Sequence, residues 1–334
     1  MTNPVLVEAV RGALVESRHS GAIAVFDSAG KMVLALGDVE RPVYPRSAVK
    51  ALQALPLVET GAADSYGLGP EELALACASH SGEPGHVATA TRMLALAGLD
   101  GSALRCGTHW PMRQPSAHAL AREGGTASAI HNNCSGKHAG FLCVTCALGA
   151  DRSHYTEPSH PVQRLVKSTI ESLTGAVLSA DVCAVDGCSV PTWAMPLSAL
   201  ARGFARFGTG AGLTAERGKA AARLRAACAE HPWHVAGTGR FCTEIMRLFG
   251  ERAFVKTGAE GVYCAALPKQ GFGIAVKCDD GAGRAAEVML TAMLLRFLPS
   301  SMDTLALEQY LRPPLRNWNG IVIGSLRPTE ALTG

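Results

Sequence analysis

The stretch that decides the fold is "AFVKTGAEGVYCAALPKQGFGIAVKCDDG", residues 253–281. It reads as three β-strands, with Lys269-Gln270-Gly271 turning the last pair. A helical pattern from about Arg284 to Leu298 follows. Near the other end, "AIAVFDSAGKMVLALGD" (22–38) is two β-rich runs joined by Ser28-Ala29-Gly30. The middle is mostly helical, with patterns over 47–59, 70–79, 85–97, 136–148, 158–174, 194–207, 214–230 and 240–249. Two hairpin groups this far apart in sequence bury their apolar faces best by joining one antiparallel sheet. The expected class is α/β of the α+β kind. Its sheet is built from both chain ends, about 1–46 and 250–334, and a central helical lobe covers about 47–249. The whole of 1–334 is read as a single domain, with a possible last strand at "GIVIGSL".

Apolar residues make up 48% of the chain and charged residues 18%, the balance of an ordinary globular protein. Net charge is +3 with no long block of one sign, so nothing argues for nucleic acid or an anionic membrane as partner. The most apolar run, "AAEVMLTAMLLRFL" (285–298), is interrupted by Glu287 and Arg296 and is too short to span a bilayer. The N-terminal twenty residues carry acids early and do not read as a signal peptide. Eleven cysteines without an export signal predict reduced thiols in a cytoplasm.

In "YPRSAVKALQALPLVETGAAD" (44–64), Ser47 and Lys50 stand three residues apart at an expected helix start after Pro45. A lysine beside a serine acts as its base when burial penalises the ammonium form. With 21 serines and 8 lysines, chance alone supplies about half an S-x-x-K match, so the pair by itself is better read as surface. Two companions raise it. Ser79 ends a helix in "ASHSGEPGH", and Lys256-Thr257-Gly258 lies in the first C-terminal strand. S-x-x-K, a loop serine and then K-T-G on a strand is the order of the penicillin-recognising serine enzymes.

"HNNCSGKHAGFL" (131–142) and "VDGCSVPTWAMPL" (185–197) each present a thiol, Cys134 and Cys188, in a polar, glycine-containing loop. Ser135 is expected to cap a helix carrying Lys137 and His138 in its first turn. Two thiolates with a third donor suit Zn²⁺, and two buried free thiols fit the same sequence equally well. Cys143 and Cys146 sit in an apolar helical pattern and are read as core. The remaining cysteines, Cys278 among them, lack metal-type spacing and are assigned to packing.

Taken together, "RPVYPRSAVKALQALPLVETGAAD", "ASHSGEPGH", "NNCSGKHAGFL", "DGCSVPTWAMPLSALA" and "KTGAEGVY" resemble the Rhizobium etli-type L-asparaginases, over roughly residues 5 to 325. The resemblance implies a fold like serine β-lactamases and glutaminases, a homodimer, and hydrolysis of L-asparagine as the small-molecule substrate. It implies Ser47 as nucleophile with Lys50, and a second pair of Ser79 with Lys256. It places zinc on Cys134, Lys137 and Cys188, with Asp186 and His138 beside that site. Asp186 is expected to pair with the substrate α-ammonium and Arg46 with its α-carboxylate. Competing readings are a glutaminase or β-lactam hydrolase of the same architecture, and a zinc- or thiol-binding module without turnover.

Overall fold

The computed structural model describes residues 2–298 and 301–334. Among these, twelve strands follow in chain order: β1 (Val5–Arg11), β2 (Leu14–Phe26), β3 (Met32–Leu36), β4 (Pro42–Val43), β5 (Cys183–Val185), β6 (Pro191–Trp193), β7 (Met195–Pro196), β8 (Phe254–Thr257), β9 (Val262–Leu267), β10 (Phe272–Cys278), β11 (Pro314–Arg316) and β12 (Val322–Pro328). The chain divides into two compact units. The first comprises Met1–Ala48, Ala194–Ala211 and Val255–Gly334; the second comprises Val49–Trp193 and Gly212–Phe254.

The first unit holds the expected antiparallel sheet. Its order is β11-β12-β1-β2-β10-β9-β8, with β3 also on β2. Strands from the two chain ends meet at β2–β10, where Ala24 faces Ala275. Side chains alternate between sheet faces. On one face, Gly21 lies against Met289 of the Gly283–Phe297 helix. On the other, a Cβ at Gly273 would fall 2.0 Å from the Ala205 nitrogen. The Leu197–Thr209 helix therefore rests directly on β10, burying Leu200, Phe204 and Phe207 there. That helix was expected in the central lobe; its apolar face binds it to the sheet instead. The opening strand β1 and the first half of β2 escaped the sequence reading because their outward residues are charged. Those charges pair across strands as Arg327–Glu8, Arg18–Glu8 and Arg11–Glu16.

The second unit is helical. Its centre is the Ser135–Ala147 helix, whose first eleven residues are all buried. Gly136 allows the backbone of the Pro70–Ala76 helix to approach closely: a Cβ there would lie 2.4 Å from the Leu75 carbonyl. The single helix expected over 47–59 is instead a 3₁₀ turn, Arg46–Val49, followed by Lys50–Gln53 and Leu55–Glu59. Pro56 explains the last break, since it lacks an N–H and crowds the carbonyl four residues back. The Gln114–Arg122 helix was not read from sequence. No described helix is long and apolar enough to cross a membrane.

Candidate active site

In the first unit, Ser47 sits half-buried in the 3₁₀ turn that opens at Arg46. Arg46 has φ of 51°, a left-handed conformation uncommon outside glycine, so the backbone is strained immediately before the serine. The K-T-G segment reaches the same turn. A Cβ on Gly258 would lie 2.6 Å from the Pro45 carbonyl, a spacing only glycine accommodates without movement. Lys256, in β8, is buried, and its Nζ donates to the Thr257 carbonyl at 2.9 Å.

In the second unit, Lys50 is fully buried at the start of its helix. Its Nζ donates to the Ala78 carbonyl at 2.5 Å, to the Asn133 carbonyl at 3.4 Å and to Cys134 Sγ at 3.1 Å. The lysine thus touches the residue before Ser79 and the first thiol. The Ser79 loop is fixed in turn: Ser79 N–H donates to Val235, and His80 N–H to Asn133.

Cys134 and Cys188, 54 residues apart in sequence, form one cluster with the buried Lys137 and His138 and the half-buried Asp186. Lys137 Nζ donates to Cys188 Sγ at 3.0 Å, and the Cys188 thiol lies 3.6 Å from Asp186 Oδ2. A hydrogen bond from Cys188, helped by the charges of Lys50 and Lys137, holds the Cys134 thiol well below its ordinary range despite burial. Cys188 moves the opposite way, pushed up by that hydrogen bond and by burial. Burial acts to lower Lys137, but the charges of Cys188, Cys134 and Asp186 outweigh it and keep the ammonium form. His138 is pulled down to about 4 by burial, with Cys188 opposing. Its Nδ1 is committed to the Tyr155 hydroxyl at 2.7 Å, while its buried Nε2 makes no well-formed hydrogen bond among the described residues, Cys188 being the polar neighbour that favours its charged form.

The structure therefore gathers Lys50, Cys134, Lys137, His138, Asp186 and Cys188 in the second unit. It sets Arg46 and Ser47 beside the strand of Lys256 in the first. Ser135 does not cap its helix. Cys134 is the N-cap residue, and the Ser135 hydroxyl pairs with His80 Nε2 at 2.9 Å. Sequence reasoning missed Tyr155, whose hydroxyl accepts the Arg105 N–H at 2.8 Å and anchors His138. It lies in an irregular loop 17 residues beyond His138, where no local spacing marks it.

A family model described as L-asparaginase II matches residues 7–328. No curated relative matches the chain significantly in sequence. Among solved structures, the chain is similar to a β-lactamase from Mycobacterium bovis at 15% identity, covering 87% of this chain and 95% of that one, with a TM-score of 0.43. It is also similar to a mutant simvastatin synthase from Aspergillus terreus at 11% identity, covering 78% of this chain and 86% of that one, with a TM-score of 0.40.

Proposed function

Because the chain belongs to the L-asparaginase II family and is an asparaginase-type amidohydrolase, we propose that it hydrolyses L-asparagine to L-aspartate and ammonia through an acyl-enzyme on Ser47. The observation that carries the reading is the convergence on Lys50. One buried amine touches the Ala78 carbonyl next to Ser79 and the Cys134 thiol, while standing three residues from Ser47.

In this reading Lys50, which donates three hydrogen bonds at rest, acts from its neutral form and takes the proton of Ser47 Oγ as the oxygen attacks the side-chain amide carbon. Backbone N–H groups of Ser47 and of the strand just after Lys256 hold the oxyanion. The approach of Gly258 to Pro45 supports that pairing. Ser79 and Lys256 pass a proton to the departing ammonia, and water then splits the β-aspartyl ester. Asp186 pairs with the substrate α-ammonium and Arg46 with its α-carboxylate, and the family resemblance makes His138 a further substrate-binding residue.

The donor set fits zinc. Cys134 and Cys188 are two buried soft donors in one cluster, and the family resemblance assigns the third position to Lys137. Lys137 must lose its proton to ligate, which the surrounding sulfur charge opposes. The orphaned His138 Nε2 offers a lone pair of the kind zinc takes. Bound there, the metal would supply fixed positive charge toward the substrate's polar groups.

The test is rapid quenching with L-asparagine, digestion and peptide mass spectrometry. An aspartyl adduct on the peptide carrying Ser47 is the expected result. Turnover with no adduct, and undiminished by Ser47→Ala, overturns the mechanism.

A further inference from the structure

Cys278 was assigned to packing, yet it packs against polar partners. It closes β10 opposite Gly21 of β2, and His19 stands two residues earlier on β2, on the same sheet face. The chain then folds back: Asp279 N–H donates to the Ser20 carbonyl and Gly281 N–H to Cys278. This returns Asp280 over the pair. His19 Nδ1 lies 2.6 Å from Asp280 Oδ2, and the Cys278 thiol donates to Oδ1 at 2.9 Å. One nitrogen, one sulfur and one oxygen donor thus fall within 4.8 Å of one another.

We propose that His19 Nδ1, Cys278 Sγ and an Asp280 oxygen form a divalent transition-metal site, suited to Zn²⁺ and built from residues of the first unit alone. The donor chemistry favours it. Imidazole, thiolate and carboxylate are the commonest protein ligands of zinc, and alkaline-earth ions avoid sulfur. Thiolate plus carboxylate cancel the ion's double charge. His19 and Cys278 are buried, whereas the Asp280 side chain keeps 47% of its exposure, which leaves an entry path and a fourth position for water.

Ligand atoms around tetrahedral zinc stand about 3.5 Å apart. The hydrogen-bonded donors must therefore open by less than about 1 Å, which a rotation of Asp280 provides. Cys278 releases its thiol proton to solvent, and the His19 proton on Nδ1 moves to Nε2. The group facing Nε2 is Arg284, at 3.3 Å; it must shift toward Ser17 Oγ, already within 3.5 Å. Binding therefore releases one proton and repositions one guanidinium.

Crystals of the full chain grown with zinc chloride, measured at the zinc absorption edge, test this directly. An anomalous peak at bonding distance from all three atoms is expected. Cobalt titration gives a solution readout. A thiolate-to-metal charge-transfer band should survive in Cys134→Ser/Cys188→Ser and vanish when Asp280→Asn, an isosteric change at an exposed turn, is added. No peak at saturating zinc, with the three donors still hydrogen-bonded, would make the cluster a structural clasp and overturn the proposal. So would a band lost completely in Cys134→Ser/Cys188→Ser.

Discussion

Gly258→Ala isolates the link between the K-T-G strand and the nucleophile turn. The Gly258 backbone is not in the left-handed region, so alanine meets no conformational penalty and only space matters. Its Cβ would sit 2.6 Å from the Pro45 carbonyl and 3.0 Å from Val262 Cβ, whereas ordinary contact begins at 3.4 Å. The turn carrying Ser47, or the strand, must yield by about 0.8 Å. A misplacement near 1 Å costs roughly 10²-fold in rate, or about 2.7 kcal/mol of barrier. Ammonia release from L-asparagine should fall by that order in kcat/KM while circular dichroism and the chromatographic profile stay native. A folded variant with wild-type kcat/KM would show that the strand does not position the nucleophile, and the oxyanion assignment would fall with it.

Tyr155→Phe removes the acceptor of the Arg105 N–H and the partner of His138 Nδ1, orphaning two polar groups. Urea unfolding should register a loss of about 2 kcal/mol or more; a loss under about 0.5 kcal/mol would mean that water replaces the hydroxyl. His86 accepts the Glu83 N–H at Nδ1 and pairs with the Trp233 carbonyl at Nε2, a neutral imidazole with both nitrogens used. Burial lowers it to about 4, so between pH 6.5 and 4 the unfolded chain binds a proton that the folded chain refuses. Stability should fall by about 3 kcal/mol as pH drops through that window, and His86→Gln should flatten the fall; an identical pH slope in the variant argues against it. Cys188→Ser should lower the zinc content of protein purified with zinc, read by elemental analysis, by about one equivalent per chain. Unchanged content would remove Cys188 from the donor set.

Much of the fold was legible because its cues are local. Ser28-Ala29-Gly30 and Lys269-Gln270-Gly271 turn the hairpins where they were read, and Gly271 N–H closes back on Leu267. The K-T-G lysine lies on a strand, as its pattern required. What escaped depends on distance in sequence. The Leu197–Thr209 helix looks like any amphipathic helix until Gly273 is seen beneath it. Tyr155 carries no periodic signal, because its partners are fixed by tertiary packing. Cys278 read as core because only the turn at Asp280 brings a carboxylate to it. The meeting of Lys50 with Cys134, two stretches singled out separately, required the helices that carry them to pack.

The central claim, that this chain is a serine-dependent asparaginase, is met most directly by ammonia release from L-asparagine and, in parallel, L-glutamine, by wild type and Ser47→Ala. The account predicts turnover of asparagine well above glutamine in the wild type and none in the variant. Asparagine turnover surviving in Ser47→Ala, or none in zinc-supplied folded wild type, would contradict it.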